Sequence, residues 1–469
     1  MEKKPSESIA SSPATAPQPF DLIVPCAFGL EAIVKRELKG LGIEATISDS
    51  GRVSFRGTPE MVCQANLWLR TADRILIRVA EFPAADFDAL FETTRQINWG
   101  KLLPADAAFP VTGRSIKSTL TSVPACQRSV KRAIVDAMMR DHRTSELPET
   151  GPLYKVDVAI VKDVATLTID TTGRSLHRRG YRTHISSAPL KETLASAMVL
   201  LSYWRSGRPL IDPFCGSGTI PIEAARIGRN LAPGLEREFA CQAWPNFSAE
   251  LWSDTRSTAA NQSLPPLEEK LLGSDIDGRV LTAARDNAIR AGVQDDIHFQ
   301  AMPVHEISSS KRFGCVITNP PYGQRIGSGH SSRFDAADHG DPDSEGPEDW
   351  ELDELYESLP QIFEKLPTWS KYILTAYSNL ERAMGRSANR RRKLYNGRIE
   401  CTYYQYQGPK PYASDRPATE KSPAPAQPIT REPTTSEPSV RETNTSKHAA
   451  PEPAKPKPKS PWPKSPPNS

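Results

Sequence analysis

The chain of 469 residues has no long hydrophobic run, no clustered cysteines and almost no net charge. No stretch approaches the roughly 18 consecutive apolar residues of a membrane span, so none is expected. The opening residues, MEKKPSESIASSPATAPQP, lack the apolar core of a secretory signal. The seven cysteines (Cys26, Cys63, Cys126, Cys215, Cys241, Cys315, Cys401) are isolated and odd in number. No C-x-x-C or Cys/His cluster appears, which argues against a disulfide scaffold and a zinc site. Buried, reduced thiols in a cytoplasmic protein are the expectation.

What is abundant is proline, 43 in all, of which 16 lie between Pro409 and Ser469. The formal charge of +3 is also unevenly built. Residues from Pro409 onward carry +4, while Ser328–Glu354 holds ten acidic residues against one arginine, or −9. Without that insert the body from Phe20 to Gly408 is +8, which is compatible with a nucleic-acid partner.

Residues 1–19 and 409–469 lack core-forming periodicity and are expected to be disordered, the latter as an extended Pro/Lys-rich tail. Asp21–Val24 reads as a strand. Leu30, Ile33, Val34, Leu38 and Leu41 recur at helical spacing. Thr46–Phe55 reads as strand, turn and strand, and Arg74–Ala80 as a half-buried strand. Helices are predicted over Thr58–Leu69, Asp86–Asn98 and Ser122–Arg140, and a hairpin over Tyr154–Asp170. This α+β half contains no catalytic constellation. A basic link, GRSLHRRGYR, follows from Gly173.

Beyond it, strands and helices alternate. Helix is predicted at Pro189–Trp204, strand at Pro209–Phe214, helix at Ile220–Ile227, strand at Leu271–Asp275 and helix at Arg279–Ala291. Strands Ile297–Gln300, Gly314–Asn319 and Tyr372–Tyr377, helix Leu352–Leu366 and a closing antiparallel pair across Asn396-Gly397 complete the series. That alternation predicts an α/β, doubly wound, mostly parallel sheet.

Three motifs lie at the ends of its strands. Asp212-Pro213-Phe214-Cys215-Gly216-Ser217-Gly218-Thr219 spans a strand-to-helix turn. Glycines there admit a ligand close to the backbone, and the helix start offers free N–H groups. No lysine follows, so it is not a P-loop, and Pro221 replaces the third glycine of a dinucleotide fingerprint. Asp275, in Gly273-Ser274-Asp275-Ile276-Asp277, ends the next strand and can accept from ribose hydroxyls. Asp277 suits a helix cap, and capping by both aspartates is the plainer alternative. Third, Thr318-Asn319-Pro320-Pro321-Tyr322-Gly323 follows a buried strand. Its prolines lack N–H donors, leaving carbonyls beside the Asn319 oxygen. An acceptor-only site suits an –NH₂ group, and Tyr322 can stack on an extruded base.

Together, DPFCGSGT, GSDID and NPPYG resemble the class I S-adenosylmethionine-dependent amino-methyltransferases. SLHRRGYR, APLKETLA, DPFCGSGTIPIEAA, APGL, GSDIDGRVLTAARDNA, TNPPYGQRIG and LYNGRIEC occur in that order. This series is similar to the THUMP-domain bacterial methyltransferases that modify guanine N2 in 23S ribosomal RNA, as is VPCAFGLEAIVKRELKGLG near the start. The resemblance covers roughly Phe20–Gly408.

It implies a Rossmann-like methyltransferase sheet over 188–408, with an acidic insert at 328–354. A ferredoxin-like part over 20–64, a THUMP RNA-binding domain over 65–172 and a basic linker over 173–187 would precede it. The cofactor would be S-adenosyl-L-methionine, held by Asp212, Phe214, Cys215, Gly216, Gly218, Thr219, Asp275 and Ile276. Asn319, Pro320, Pro321 and Tyr322 would be catalytic, and no metal is implied. The partner would be 23S rRNA or a pre-ribosomal particle, with no membrane; the oligomeric state stays open. One departure is Pro303, where the family carries an aspartate contacting adenine; Glu306 is a candidate substitute. The arginines of the link, Arg114, Lys117, Arg128, Lys131, Arg132 and the run Arg386–Lys393 are candidates to track phosphates. The acidic insert is a candidate lid. Methylation of tRNA, of DNA adenine or of protein glutamine, and a non-catalytic RNA-binding role, remain alternatives.

Overall fold

The computed structural model describes residues 19–182, 190–322 and 349–410. Apart from residues 19, 409 and 410, both ends predicted to be disordered lie outside these residues, as do the body of the acidic insert and the lid expected of it.

The first half is one seven-stranded sheet. Its strands are β1 (Phe20–Pro25), β2 (Thr46–Asp49), β3 (Arg52–Gly57), β4 (Leu76–Pro83), β5 (Val111–Ile116), β6 (Val156–Val161) and β7 (Val164–Asp170), in the order β2-β3-β1-β4-β7-β6-β5. Helices α1 (Glu31–Gly40), α2 (Pro59–Trp68), α3 (Phe87–Gln96) and α4 (Val123–His142) accompany it. Because β1 pairs with β4 through Leu22 and Ile23, the two expected N-terminal modules share a continuous sheet. The division expected between residues 64 and 65 falls within α2, whose Val62, Cys63, Ala65 and Leu67 are all buried. That boundary is therefore corrected: a helix packed on the core offers no place for a linker.

The second half is a second seven-stranded sheet. It contains β8 (Leu210–Asp212), β9 (Leu271–Asp275), β10 (Ile297–Ala301), β11 (Cys315–Thr318), β12 (Ser370–Thr375), β13 (Arg390–Asn396) and β14 (Ile399–Tyr406), ordered β10-β9-β8-β11-β12-β14-β13. β8 to β12 run parallel, and β14 returns antiparallel to β12. Helices α5 (Glu192–Leu201), α6 (Thr219–Gly228), α7 (Ala249–Asn261), α8 (Gly278–Arg290), α9 (Asp349–Glu364) and α10 (Leu380–Ala383) complete it. Strand order reverses at β8, so β8 and its neighbours β9 and β11 present their carboxyl ends at the switch point where such sheets bind ligands. The acidic insert was expected to end at Glu354, but α9 already begins at Asp349.

The segment between α6 and β9 fastens the two halves together. Gly234 N–H donates to Leu67 O at 2.9 Å. Trp244 stacks on Tyr154 with centroids 4.3 Å apart and donates through Nε1 to Leu153 O at 3.0 Å. Buried charges join the halves as well. Glu37 of α1 accepts from Arg70 N–H at 2.9 Å, and an Arg70 guanidinium nitrogen donates to Leu231 O at 2.8 Å. Arg179 lies 3.8 Å from Glu223 of α6, both fully enclosed, and Tyr181 Oη donates to Glu223 at 3.0 Å.

The supposed basic link is thus partly structural. Arg179 also donates to Leu176 O and Arg70 O, while Arg182 reaches Leu190 O and Thr219 Oγ1. These two arginines are withdrawn from the phosphate candidates because their charges are spent inside the protein. Arg174 and Arg178 remain exposed.

Candidate active site

The first loop follows β8 directly. Asp212 is 1 % exposed, and its Oδ1 accepts from Thr318 Oγ1 at 2.7 Å and from Phe214 N–H at 3.2 Å. Both donors are neutral. Burial, aided by the charge of Asp275, therefore pushes the Asp212 carboxyl up to about 7. A carboxylate removed from water and given no cation is a site that a positive group would relieve.

The glycines are used where the backbone demands them. Gly218, the residue before α6, has φ +82, and a Cβ there would come 2.9 Å from the Phe299 ring. Gly216 has φ +51 and faces open space, with nothing within 4 Å of where a Cβ would sit. Its N–H donates to Asp275 Oδ2 at 3.0 Å, while Asp277 N–H donates to Asp275 Oδ1 at 3.1 Å. Asp275 thus braces the glycine turn. Asp277 caps α8 by accepting from Arg279 N–H at 2.8 Å, as its position in the sequence suggests.

Ile276 is 79 % exposed although strongly apolar, on the sheet edge beside Asp275. Phe214 is half-buried against the second core. Cys215 is buried, and burial raises its thiol well above the ordinary range, so it is an inert turn residue. Thr219 opens α6 and accepts from Arg182 at 2.5 Å. The chemistry of Asp212, Gly216, Asp275 and Ile276 is of the kind S-adenosylmethionine would need. A caged anion suits a sulfonium or ammonium, an open glycine turn admits the chain, a carboxylate suits ribose, and an exposed aliphatic residue can cover adenine.

Pro303 stands at the start of a short 3-10 turn after β10. The Glu306 side chain is 61 % exposed and lies 4.0 Å from His305. Its exposure leaves it open to a ligand, and its part as substitute acid stays an expectation.

The second loop leaves β11 beside β8. Asn319 Oδ1 is buried and has no hydrogen-bond partner among the described residues. Such an orphaned acceptor costs about 1–3 kcal/mol unless a donor arrives. The expectation that both prolines offer free carbonyls is corrected: Pro321 O already accepts from Tyr356 Oη at 2.9 Å. Tyr356 is fixed in turn by Thr375 at 2.6 Å and by stacking on Tyr377, with centroids 4.1 Å apart. Asn319 Oδ1 is thus the acceptor of this loop that has no partner among the described residues. Tyr322 is half-buried, and its hydroxyl accepts from Asn396 Nδ2 at 3.1 Å; burial pushes that hydroxyl up to about 12.

Tyr356, Thr375 and Asn396 were missed by sequence reasoning. Only Asn396 carried a signal, through the turn Asn396-Gly397. Among the described residues, no His, Cys, Asp and Glu group could hold a metal ion, and no helix is long and apolar enough to cross a membrane.

A parallel sheet with one antiparallel return, a glycine turn braced by an acidic second strand and an Asn-Pro-Pro-Tyr turn define the S-adenosylmethionine-dependent methyltransferases. The comparisons narrow this. The RMKL-like methyltransferase domain matches residues 179–333, the RlmL ferredoxin-like domain 21–76 and the THUMP domain 84–170. The chain is 43 % identical over 389 residues to YpsC of Bacillus subtilis, a protein provisionally named an RNA methyltransferase, covering 82 % of this chain and 96 % of that one. It is 33 % identical over 396 residues to the ribosomal RNA large subunit methyltransferase K/L of Legionella pneumophila (strain Corby), covering 82 % of this chain. It spans only about half, 52 %, of that relative's length. The solved structure of SMU.472, provisionally described as a methyltransferase and complexed with SAH, matches with TM-score 0.77 and 39 % identity over 84 % of this chain and all of that one. The chain belongs to the RMKL-like methyltransferase family, in a form that carries a THUMP domain.

Proposed function

We propose that this protein transfers a methyl group from S-adenosylmethionine to the exocyclic N2 amine of a guanine in 23S ribosomal RNA. One observation carries the choice of an amine: the buried, unpartnered Asn319 Oδ1 at the carboxyl end of β11. When bound, the cofactor supplies an activated methyl on a sulfonium. The guanine amine is a poor nucleophile because its lone pair is delocalised into the ring. Hydrogen bonds from its two protons to Asn319 Oδ1 and Pro320 O favour a pyramidal nitrogen and aim the lone pair. A ring nitrogen without a proton would gain nothing from these acceptors. Tyr322, held at its hydroxyl by Asn396, offers its ring to the base. Positioning is the main contribution of the protein, and no strong base is needed because the product amine can lose its proton to water.

RNA is favoured over DNA or protein by the THUMP domain, and 23S rRNA by the relatives named for the large ribosomal subunit. The nearest second reading is the same chemistry on tRNA. Nucleoside mass spectrometry of 23S rRNA, 16S rRNA and tRNA from a deletion strain separates them. Loss of N2-methylguanosine confined to 23S rRNA is expected. Loss confined to tRNA overturns the rRNA assignment, and an unchanged N2-methylguanosine content in every RNA overturns the function.

A further inference from the structure

The Asn-Pro-Pro-Tyr turn is stiff at every main-chain bond but one. Asn319 and Pro320 each precede a proline, which confines ψ of both to the extended region. The rings of Pro320 and Pro321 fix φ of both at about −65°. The peptide bonds between them are planar. Between the Asn319 and Tyr322 Cα atoms, ψ of Pro321 is thus the one torsion without a local restraint. It sets the direction in which Tyr322 leaves the turn.

Pro321 O turns with that torsion, and it is held from α9. Tyr356, which is fully buried, donates to it through Oη at 2.9 Å. A tyrosine hydroxyl has one proton and a carbonyl has none, so that proton is committed to Pro321 O. Thr375 Oγ1, 2.6 Å from Tyr356 Oη, is then the donor in their contact. Thr375 Oγ1 accepts in turn from Tyr377 N–H at 3.0 Å. The hydrogen bonds run one way, from Tyr377 to Thr375 to Tyr356 to Pro321 O, and each polarises the next. Burial raises the Tyr356 hydroxyl above the ordinary tyrosine value, which keeps its proton in place. The ring is fixed too: it stacks on Tyr377 with 7° between planes, and Tyr377 Oη donates to Asp353 of α9 at 2.7 Å.

The far end of Tyr322 is held separately. Its hydroxyl accepts from Asn396 Nδ2 and donates to the buried Cys401 thiol. Those contacts fix the tip of the ring and leave the main chain that carries it to Pro321.

We propose that Tyr356 is a positioning residue for methyl transfer: through Pro321 O it sets ψ of Pro321, and so the angle at which the Tyr322 ring meets the target base beside Asn319. This rests on the function proposed above. It adds a residue 35 positions along the chain that belongs to none of the three motifs.

The test compares wild-type protein with Tyr356→Phe, Thr375→Val, Thr375→Ser and the double variant Tyr356→Phe/Asn396→Ala. Labelled S-adenosylmethionine with 23S rRNA and tRNA from a deletion strain gives kcat and KM, and mass spectrometry identifies the product nucleoside. Thermal unfolding, calorimetry with the cofactor and a crystal structure accompany each variant. Tyr356→Phe keeps the ring and its stacking and removes only the hydroxyl. Its kcat should fall about tenfold with KM for RNA within about twofold of wild type, because a misplaced base is bound but reacts slowly. Cofactor affinity should hold, and the crystal structure should show a changed Pro321 ψ or a disordered Tyr322 ring. Thr375→Val leaves the Tyr356 proton in place but less well oriented, so kcat should fall by less; Thr375→Ser should recover most of that loss. The double variant should lose less than the product of the single losses, because both changes act on one ring. Wild-type kcat in folded Tyr356→Phe overturns the positioning role, as does a Tyr322 ring that stays ordered and unmoved. If Tyr356→Phe fails to fold, the Thr375 variants decide: a fall in Thr375→Val restored by Thr375→Ser supports the role, and an unchanged kcat overturns it. A labelled nucleoside other than N2-methylguanosine overturns the function proposed above, while the kcat comparison still decides on Tyr356. No label in any RNA overturns that function too, and the crystal comparison then decides.

Discussion

Asp212 is a carboxylate enclosed by two neutral donors, and burial, with the charge of Asp275, pushes its pKa up to about 7, so it titrates near neutrality. Its folded value lies above the ordinary 3.8, so its contribution to stability is full below pH 3.8 and is lost as the pH rises through about 7. Asp212→Asn keeps an acceptor for Thr318 and removes the charge. Without cofactor, its melting temperature should exceed that of wild type at about pH 8, with the gap closing toward about pH 4. A cationic ligand prefers the carboxylate, so wild-type affinity for S-adenosylmethionine should rise from about pH 6 to about pH 8, whereas Asp212→Asn should bind weakly at every pH. Calorimetry across that range checks both. The two turn glycines should also separate. Gly216→Ala meets only the strain of its positive φ, about 1 kcal/mol, while Gly218→Ala also drives a Cβ toward Phe299 and should cost about 2–4 kcal/mol in denaturant unfolding. The identities of Asp212, Gly216, Gly218, Asp275 and Asn319 were legible because each is a residue type with one evident use at a strand end. Their partners were not. Nothing in the sequence places Tyr356 against Pro321 O, since that contact joins residues 35 positions apart.

The β13–β14 hairpin supports the loop proposed to bind the base, through the contact of Asn396 with Tyr322. Asn396→Ala removes the donor to the Tyr322 hydroxyl and frees the ring to move. The expected result is a roughly tenfold fall in kcat/KM, with cofactor affinity unchanged, in a methyl-transfer assay. Elements with clear periodicity were read correctly, among them α1, α8 and the parallel strands of the second half. β5 was missed because Gly113 interrupts its alternation; a Cβ there would lie 2.8 Å from Val158, so close packing excluded the side chain that would have marked a strand. α7 was missed because it buries few residues, Trp252 and Ala259, too few to show a helical stripe. The arginine run at 390–392 turns out to lie on β13, the edge strand of the second sheet, where positive side chains also discourage sheet-to-sheet association.

At the scale of the whole molecule, the two folded halves are held as one body by buried charges and by the segment carrying α7. Glu223 is the hub: it faces Arg179 and accepts from Tyr181 and Ser196. Glu223→Ala leaves Arg179 buried without its counter-charge and should cost about 3–5 kcal/mol, read as a lower denaturant midpoint or as a split into two transitions. Two domains joined by a basic linker were evident from composition. The fastening was not, because a sequence shows that Arg179 is charged but not that its charge faces inward. In the function proposed above, this body presents a guanine amine to an activated methyl through Asn319. The most direct measurement incubates wild-type and Asn319→Ala protein with labelled S-adenosylmethionine and 23S rRNA from a deletion strain, followed by nucleoside mass spectrometry. The account predicts N2-methylguanosine from wild type, at least about a hundredfold less from Asn319→Ala, and equal cofactor binding by both. Methylation at a ring nitrogen, or full N2 activity in Asn319→Ala, would contradict it.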